Sequence, residues 1–234
     1  MNDQKTPLIE TKHLSKSYSD GHVNALVDVN LSIYNNEYVA IMGPSGCGKS
    51  TLLSLLGALD YPTSGEIMFE GRSIRELPSL DQFRSEKVGF VFQSFYLLPT
   101  LSALENVQIP MFERPCSARE KVETATNLLE IVGMGHRMKH QPSQLSIGER
   151  QRVAIARSLA NSPRILFADE PTGNLDSKTE DDILNLFGKL RKQRDMTLVV
   201  VTHSDEVARR AERIIRLKDG ALIDDAVVGR RIGD

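Results

Sequence analysis

The stretch Gly43-Pro44-Ser45-Gly46-Cys47-Gly48-Lys49-Ser50 fits the pattern G-x-x-x-x-G-K-[ST], and its flanks restrict how it can fold. Before it, Tyr38-Val39-Ala40-Ile41-Met42 reads as an apolar strand; after it, Leu52, Leu53, Leu55 and Leu56 carry a helix that starts near Lys49. A strand-loop-helix of this kind aims the first N–H groups of the helix at an anion. Glycines at 43, 46 and 48 let the backbone wrap phosphates without β-carbon clashes, Lys49 would reach the β and γ phosphates, and Ser50 would ligate Mg²⁺. Gly43, Pro44, Ser45, Gly46, Cys47, Gly48, Lys49, Ser50 and Thr51 are therefore candidate phosphate-binding residues of a nucleotide triphosphatase. A bulky adduct on Cys47 is expected to crowd the phosphates.

The rest of the chain alternates strand and helix patterns over 234 residues, 40% of them hydrophobic, which argues for one α/β unit with small subdomains and against disorder. Residues 7–41 read as short strands with turns at Ser19-Asp20-Gly21 and Asn35-Asn36. With a further strand at 65–71 they would form a small antiparallel layer. A buried strand at 88–92 ends at Gln93. Residues 95–160 then turn mainly helical, with apolar spacing at Val122, Ala125, Leu128, Leu129 and Val132, as an inserted helical subdomain. Parallel-sheet strands return at 164–168 and 197–201, separated by a helix over 177–194, and 214–223 reads as a closing hairpin.

The charge is nearly balanced, 29 Lys and Arg against 31 Asp and Glu, with no long basic run, so no nucleic-acid partner is expected. Two cysteines, Cys47 and Cys116, build no disulfide framework and suit a reducing compartment. Residues 1–5 carry no apolar signal core, and no apolar run approaches the ~18 residues that span a bilayer. A cytoplasmic protein is expected, and any work at a membrane would need another chain as anchor.

Two carboxylates, Asp169 and Glu170, close the apolar strand Ile165-Leu166-Phe167-Ala168, where open α/β sheets place their ligands. Asp169 would hold Mg²⁺ and Glu170 would polarise an attacking water as general base. His203 follows another strand to the same sheet edge, within reach of a γ-phosphate, and Gln93 could ligate Mg²⁺ or orient water. Leu145-Ser146-Ile147-Gly148-Glu149 precedes a helix, and Ser146 with Glu149 forms a capping-box pattern.

The phosphate loop, Gln93, Leu-Ser-x-Gly, Asp169-Glu170, Asn174-Leu175-Asp176 and His203, in that order, resemble the nucleotide-binding domain of ABC transporters. The resemblance covers essentially the whole chain. It implies an α/β P-loop NTPase, with a RecA-like core and β subdomain over 1–93 and 160–234 and a helical subdomain over about 94–159. It also implies Tyr18 as the ring that stacks on adenine, and a head-to-tail dimer with a second copy. In that dimer Ser146, Gly148 and Glu149 would meet the ATP held by the partner's phosphate loop, and Asp176 would tie the two sites together. ATP and Mg²⁺ are the implied ligands. A separate membrane permease is the implied partner, holding the chain at the inner face of the membrane.

Two positions depart from the family pattern: Ile147 stands for a glycine and Glu149 for a glutamine. The side chain at 147 is expected to point away from the phosphate, and the carboxylate at 149 to cap its own backbone. Residues 92–107 and 170–177 are most similar to the lipoprotein-releasing and macrolide-exporter subfamily, whose ATPases drive a mechanical stroke in permeases with few membrane helices. Residues 95–111 would then receive the permease. The alternative is a cassette ATPase of DNA or the ribosome; the chromosome-acting members carry a long inserted coiled coil, for which the fifty or so residues between Gln93 and Leu145 hold no sustained heptads.

Overall fold

The computed structural model describes residues 6–18 and 23–228; the turn expected at 19–21 and residues 1–5 lie outside them. In chain order the elements are β1 (Ile9–Ser17), β2 (Asn24–Ile33), β3 (Tyr38–Met42), α1 (Lys49–Leu56), β4 (Ser64–Phe69), β5 (Arg72–Ser73), α2 (Leu80–Lys87) and β6 (Val88–Phe92). There follow α3 (Ala103–Gln108), α4 (Ala118–Ile131), α5 (Ile147–Ser158), β7 (Ile165–Asp169), α6 (Ser177–Arg194), β8 (Thr197–Thr202), α7 (Asp205–Arg209), β9 (Arg213–Lys218) and β10 (Ala221–Val227). The chain divides into two compact units, Met1–Arg84 with Asp195–Asp234, and Ser85–Arg194.

In the first unit an antiparallel layer runs in the order β2-β1-β4-β5. It buries Ile9, Leu14, Leu26, Val29 and Ile33 on its inner side. The irregular β1–β2 register is held by Thr11, whose buried hydroxyl donates to Val29 O at 3.0 Å and accepts from Leu31 N at 2.9 Å. Strands β10, β9, β3 and β8 run side by side in that order, with β3 parallel to both neighbours: Ile41 sits opposite Val201 and Ile215. Every residue of β3 and β8 is buried, which is why both read as unbroken apolar runs rather than alternating ones. Helix α2 carries no periodic apolar stripe and is not foreseen from the sequence; its anchor is Phe83, edge-on to Phe69 with ring centres 4.9 Å apart.

In the second unit β6 and β7 pair in parallel from Val88 opposite Ile165 to Phe92 opposite Asp169. That level register ends both strands together, so Gln93 and Glu170 leave the sheet at the same end. Phe90 stacks between Phe92 and Phe167 at 5.5 Å from each. The helical part packs Val107, Ala125, Leu128, Leu129 and Val153 into a core. Val122, expected on that inner stripe, is instead 43% exposed, because it lies in the first two turns of α4, beyond the reach of the packed face. No helix among the described residues is long and apolar enough to cross a membrane.

Candidate functional site

The loop between β3 and α1 takes a path only glycine permits at its tight points. Gly48 has φ 101°, and a β-carbon there would lie 2.3 Å from Ala25 O; one at Gly43 would lie 2.3 Å from Leu217 O and 2.6 Å from Cys47 Sγ. Gly48 is also the N-cap of α1 and offers no side chain to the first helical N–H groups, which leaves the positive end of the helix for an anion. Lys49 is only 7% exposed, and its ammonium donates to Gly43 O at 2.8 Å and Pro44 O at 2.9 Å. Pro44, Ser45, Gly46 and Ser50 face solvent, and Thr51 is half-buried. Cys47 turns inward at 3% exposure, so it can offer a ligand its backbone and not its thiol. In the same unit, Tyr18 is 45% exposed with the Lys16 ammonium 5.2 Å from its ring centre, and Lys16 is itself held by Asp60 at 2.8 Å. His203 leaves β8 exposed, just before Ser204, whose hydroxyl caps α7 by accepting from Val207 N at 3.4 Å.

In the second unit the ends of β6 and β7 form a tight cluster. Glu170 adopts a left-handed backbone, φ 46°, which costs a non-glycine residue about 1–3 kcal/mol. The chain then turns back, Gly173 N donating to Glu170 O at 3.2 Å. A β-carbon on Gly173 would stand 3.0 Å from Gln93 Nε2 and 3.5 Å from Glu170 Oε2, so the amide and the carboxylate face the same glycine. Asn174 Nδ2 donates to Gln93 O at 3.4 Å. Asp176 accepts from Thr179 Oγ1 at 2.7 Å and Thr179 N at 3.0 Å at the start of α6; the hydroxyl first, then the N–H, hold its carboxyl below the usual range.

The capping box expected at α5 is present. Ser146 Oγ accepts from Glu149 N at 3.2 Å, and Glu149 Oε2 accepts from Ser146 N at 2.9 Å. That backbone N–H, and after it the Arg137 charge, depress the Glu149 pKa against the opposing effect of burial. Arg137 Nε donates to Glu149 Oε1 at 3.2 Å. Ser146, Gly148 and Glu149 line an open cleft of about 750 Å³ together with Ile147, Asn174 and Asp176. Ile147 stands on the wall of this cleft, 45% exposed. Residue 147 opens the first turn of α5, directly after the Ser146 cap.

Three structural residues had no motif to announce them. Arg157, two turns along α5 from Arg150, donates to Phe95 O and Tyr96 O at 2.5 Å each, while Arg150 lies over the Phe95 ring at 5.7 Å. The helix that carries Ser146 thus grips the turn that follows Gln93. Asn106 is fully buried and threads the loop before α3, donating to the carbonyls of Leu98, Leu101 and Ser102 and accepting from Leu98 N at 2.8 Å. Arg137 is the third. Seven-residue spacing on α5 was the one legible signal, for Arg157.

The family described as ABC transporter matches residues 26–173. The chain belongs to the ABC transporter family. Among curated ABC proteins it is 44% identical to the lipoprotein-releasing system ATP-binding protein LolD of Shewanella frigidimarina, over 95% of this chain and 95% of that one. It is 50% identical to the macrolide export ATP-binding/permease protein MacB of Rhodopirellula baltica over 93% of this chain, but spans only 33% of that longer protein. Among solved structures it superposes on the dimeric ATP-binding cassette MJ0796 bound to ADP and Pi with a TM-score of 0.86 at 44% identity, covering 94% of this chain and 99% of that one. The fold expected from the sequence, a P-loop α/β core with an antiparallel β layer and a helical insertion, is the ABC cassette fold found here. As a member of this family the chain is an ATP-binding cassette ATPase.

Proposed function

We infer that this cassette hydrolyses ATP in a head-to-tail homodimer to drive a separate permease of the lipoprotein-releasing or macrolide-exporter type, and that it sits on the inner face of the membrane through that permease. The observation that carries the reading is the phosphate loop. A buried ammonium already directed at loop carbonyls, beneath an uncapped helix N-terminus, is a polyanion receptor in waiting. On binding, Lys49 exchanges the Gly43 and Pro44 carbonyls for phosphate oxygens, the backbone of residues 43–51 wraps the phosphates, and Tyr18 offers its ring face to adenine. Ser146 and Gly148 complete the partner's site, with Glu149 holding their cap, and Asp176 orders the segment that crosses to the partner.

The candidate donors for Mg²⁺ are, in the first unit, the hydroxyl of Ser50 and, in the second, the amide of Gln93 and the carboxylate of Asp169, each a hard oxygen of the kind this ion takes. Among the described residues no group of three or more His, Cys, Asp or Glu could hold a metal ion. Held by these donors, Mg²⁺ would neutralise phosphate charge. Glu170 takes a proton from the attacking water as general base. His203 donates to the γ-phosphate. The longest helix within residues 94–159 is α4, with 14 residues, which leaves no room for the coiled coil of chromosome-acting cassettes.

Glu170→Gln tests the assignment. The turnover number should fall about 10²–10⁴-fold, the usual worth of a positioned base, while an ATP-bound dimer accumulates on size-exclusion chromatography. Turnover at the parental rate would remove Glu170 from that role. Recovery of the tagged chain from membranes with a stoichiometric permease tests the partner, and recovery with ribosomes or DNA alone would overturn it.

A further inference from the structure

We propose that Arg137 is a positioning residue for the trans phosphate site: by pairing with Glu149 it cancels the negative charge in the first turn of the signature helix, in a cleft that Asp176 and Asp182 also line, and lets that helix end accept the partner's ATP. The inference rests on the reading that Ser146 and Gly148 face the partner's γ-phosphate.

A carboxylate in the first turn of a helix stabilises the helix because it satisfies the positive end of the dipole. The same carboxylate competes with any anion that needs that end. Glu149 is such a group: one oxygen is committed to Ser146 N at 2.9 Å, and the residue lines the same open cleft as Ser146 and Gly148. Its other oxygen receives Arg137 Nε at 3.2 Å. The Arg137 side chain is 38% exposed and that of Glu149 only 23%, so solvent screens the charge on Glu149 in part and a fixed counter-ion still matters.

Arg137 is itself held in place. Its Nη1 lies 3.2 Å from His140 Nε2, and because guanidinium only donates, the ring nitrogen is the acceptor there. The short helical turn at residues 135–137 sets the arginine beside the box, and Pro142 begins the next turn, which leads directly into Leu145 and Ser146. Glu149 can therefore keep its capping function and yet present a neutral pair to an incoming phosphate. The glutamine usual at this position needs no such partner, and a glutamate does.

The test is steady-state ATP hydrolysis by the full chain, reading the half-maximal ATP concentration and the turnover number separately, with binding of a fluorescent ATP analogue to dilute monomer as control. Arg137→Gln should raise the half-maximal concentration about tenfold, the scale of one unscreened unit charge at a partly buried site, with turnover at saturating ATP within about threefold and analogue binding to monomer unchanged. Adding Glu149→Gln to Arg137→Gln should return the half-maximal concentration to within twofold of Glu149→Gln alone, and Arg137→Lys should stay near the parent. Equal losses with and without Glu149→Gln, or no loss on Arg137→Gln, would overturn the proposal; a variant that fails to fold would also escape rescue and would count against it. Ser146→Arg separates the underlying reading: hydrolysis at the parental level in that variant would show that the signature helix does not meet ATP at all, whatever Arg137 does.

Discussion

Replacing Arg157 by methionine removes the grip of α5 on the turn after Gln93 while keeping an apolar stem of similar length in place. Two charge-assisted hydrogen bonds are lost, to Phe95 O and Tyr96 O, each 2.5 Å long. A bond to a charged group contributes about 1.5–3 kcal/mol. The two do not add in full, because Tyr96 is exposed and its carbonyl recovers water, and because the methionine is relieved of the burial that pulls the Arg157 pKa down. The variant also loses what holds Phe95 and Tyr96 in left-handed backbone, φ 59° and 46°, a conformation costing about 1–2 kcal/mol per residue. The net expectation is a loss of about 2–3 kcal/mol. With a urea dependence near 2.5 kcal/mol/M, the first unfolding transition should move down by about 1 M. Chymotrypsin should meanwhile cleave after Phe95 or Tyr96 in the native variant before it cleaves elsewhere. A midpoint shift under about 0.3 M with unchanged cleavage would show that the turn holds its shape without the arginine.

Alkylation under native conditions should label Cys116 at least about tenfold faster than Cys47, since burial shields the Cys47 thiol at 3% exposure; comparable rates by intact-mass measurement would mean the loop opens freely. Asn106→Leu should lower the melting temperature by about 6–12 °C, from some 3 kcal/mol of lost loop hydrogen bonds, and a shift under 2 °C in calorimetry would refute its role. Glu105, Glu120 and Glu149 are all held below the usual carboxyl range, the first two chiefly by the hydroxyls of Ser102 and Ser117 and the third chiefly by Ser146 N–H. Their contribution is therefore complete above the ordinary glutamate value of about 4.3 and disappears as pH falls through the lower folded values. Substituting Gln at 105 and 120 should flatten the acid limb of a stability-against-pH curve, and an unchanged limb would show that the boxes do not titrate with folding.

Much of the fold was legible because local chemistry specified it. β3 and β8 are unbroken apolar runs, and only a strand buried on both faces takes such a run. The helix at 177–194 was found at both ends because Asp176 offers a cap and its inner positions repeat with helical period. Val122 went the other way: its spacing fits the stripe of α4, but only packing decides where a stripe stops being covered. Helix α2 was missed since a single apolar anchor makes no period.

The phosphate loop, the capping box at Ser146 and the carboxylates after β7 were readable because each depends on residues close together in sequence: a glycine for a tight path, an N-cap three residues before its partner, an acid at a strand's end. The sequence by itself determined that chemistry and, through the order of the motifs, the family. The tertiary structure alone decided which side chains support it. Arg137 reaches Glu149 across twelve residues, Arg157 reaches Phe95 across sixty-two, and Cys47 turns inward though its neighbours face solvent. Apart from the seven-residue spacing of Arg150 and Arg157 on α5, no period or spacing encodes those placements, because each is set by how separate elements pack, and a charge becomes a clamp or a counter-ion only once packing has fixed what lies opposite it.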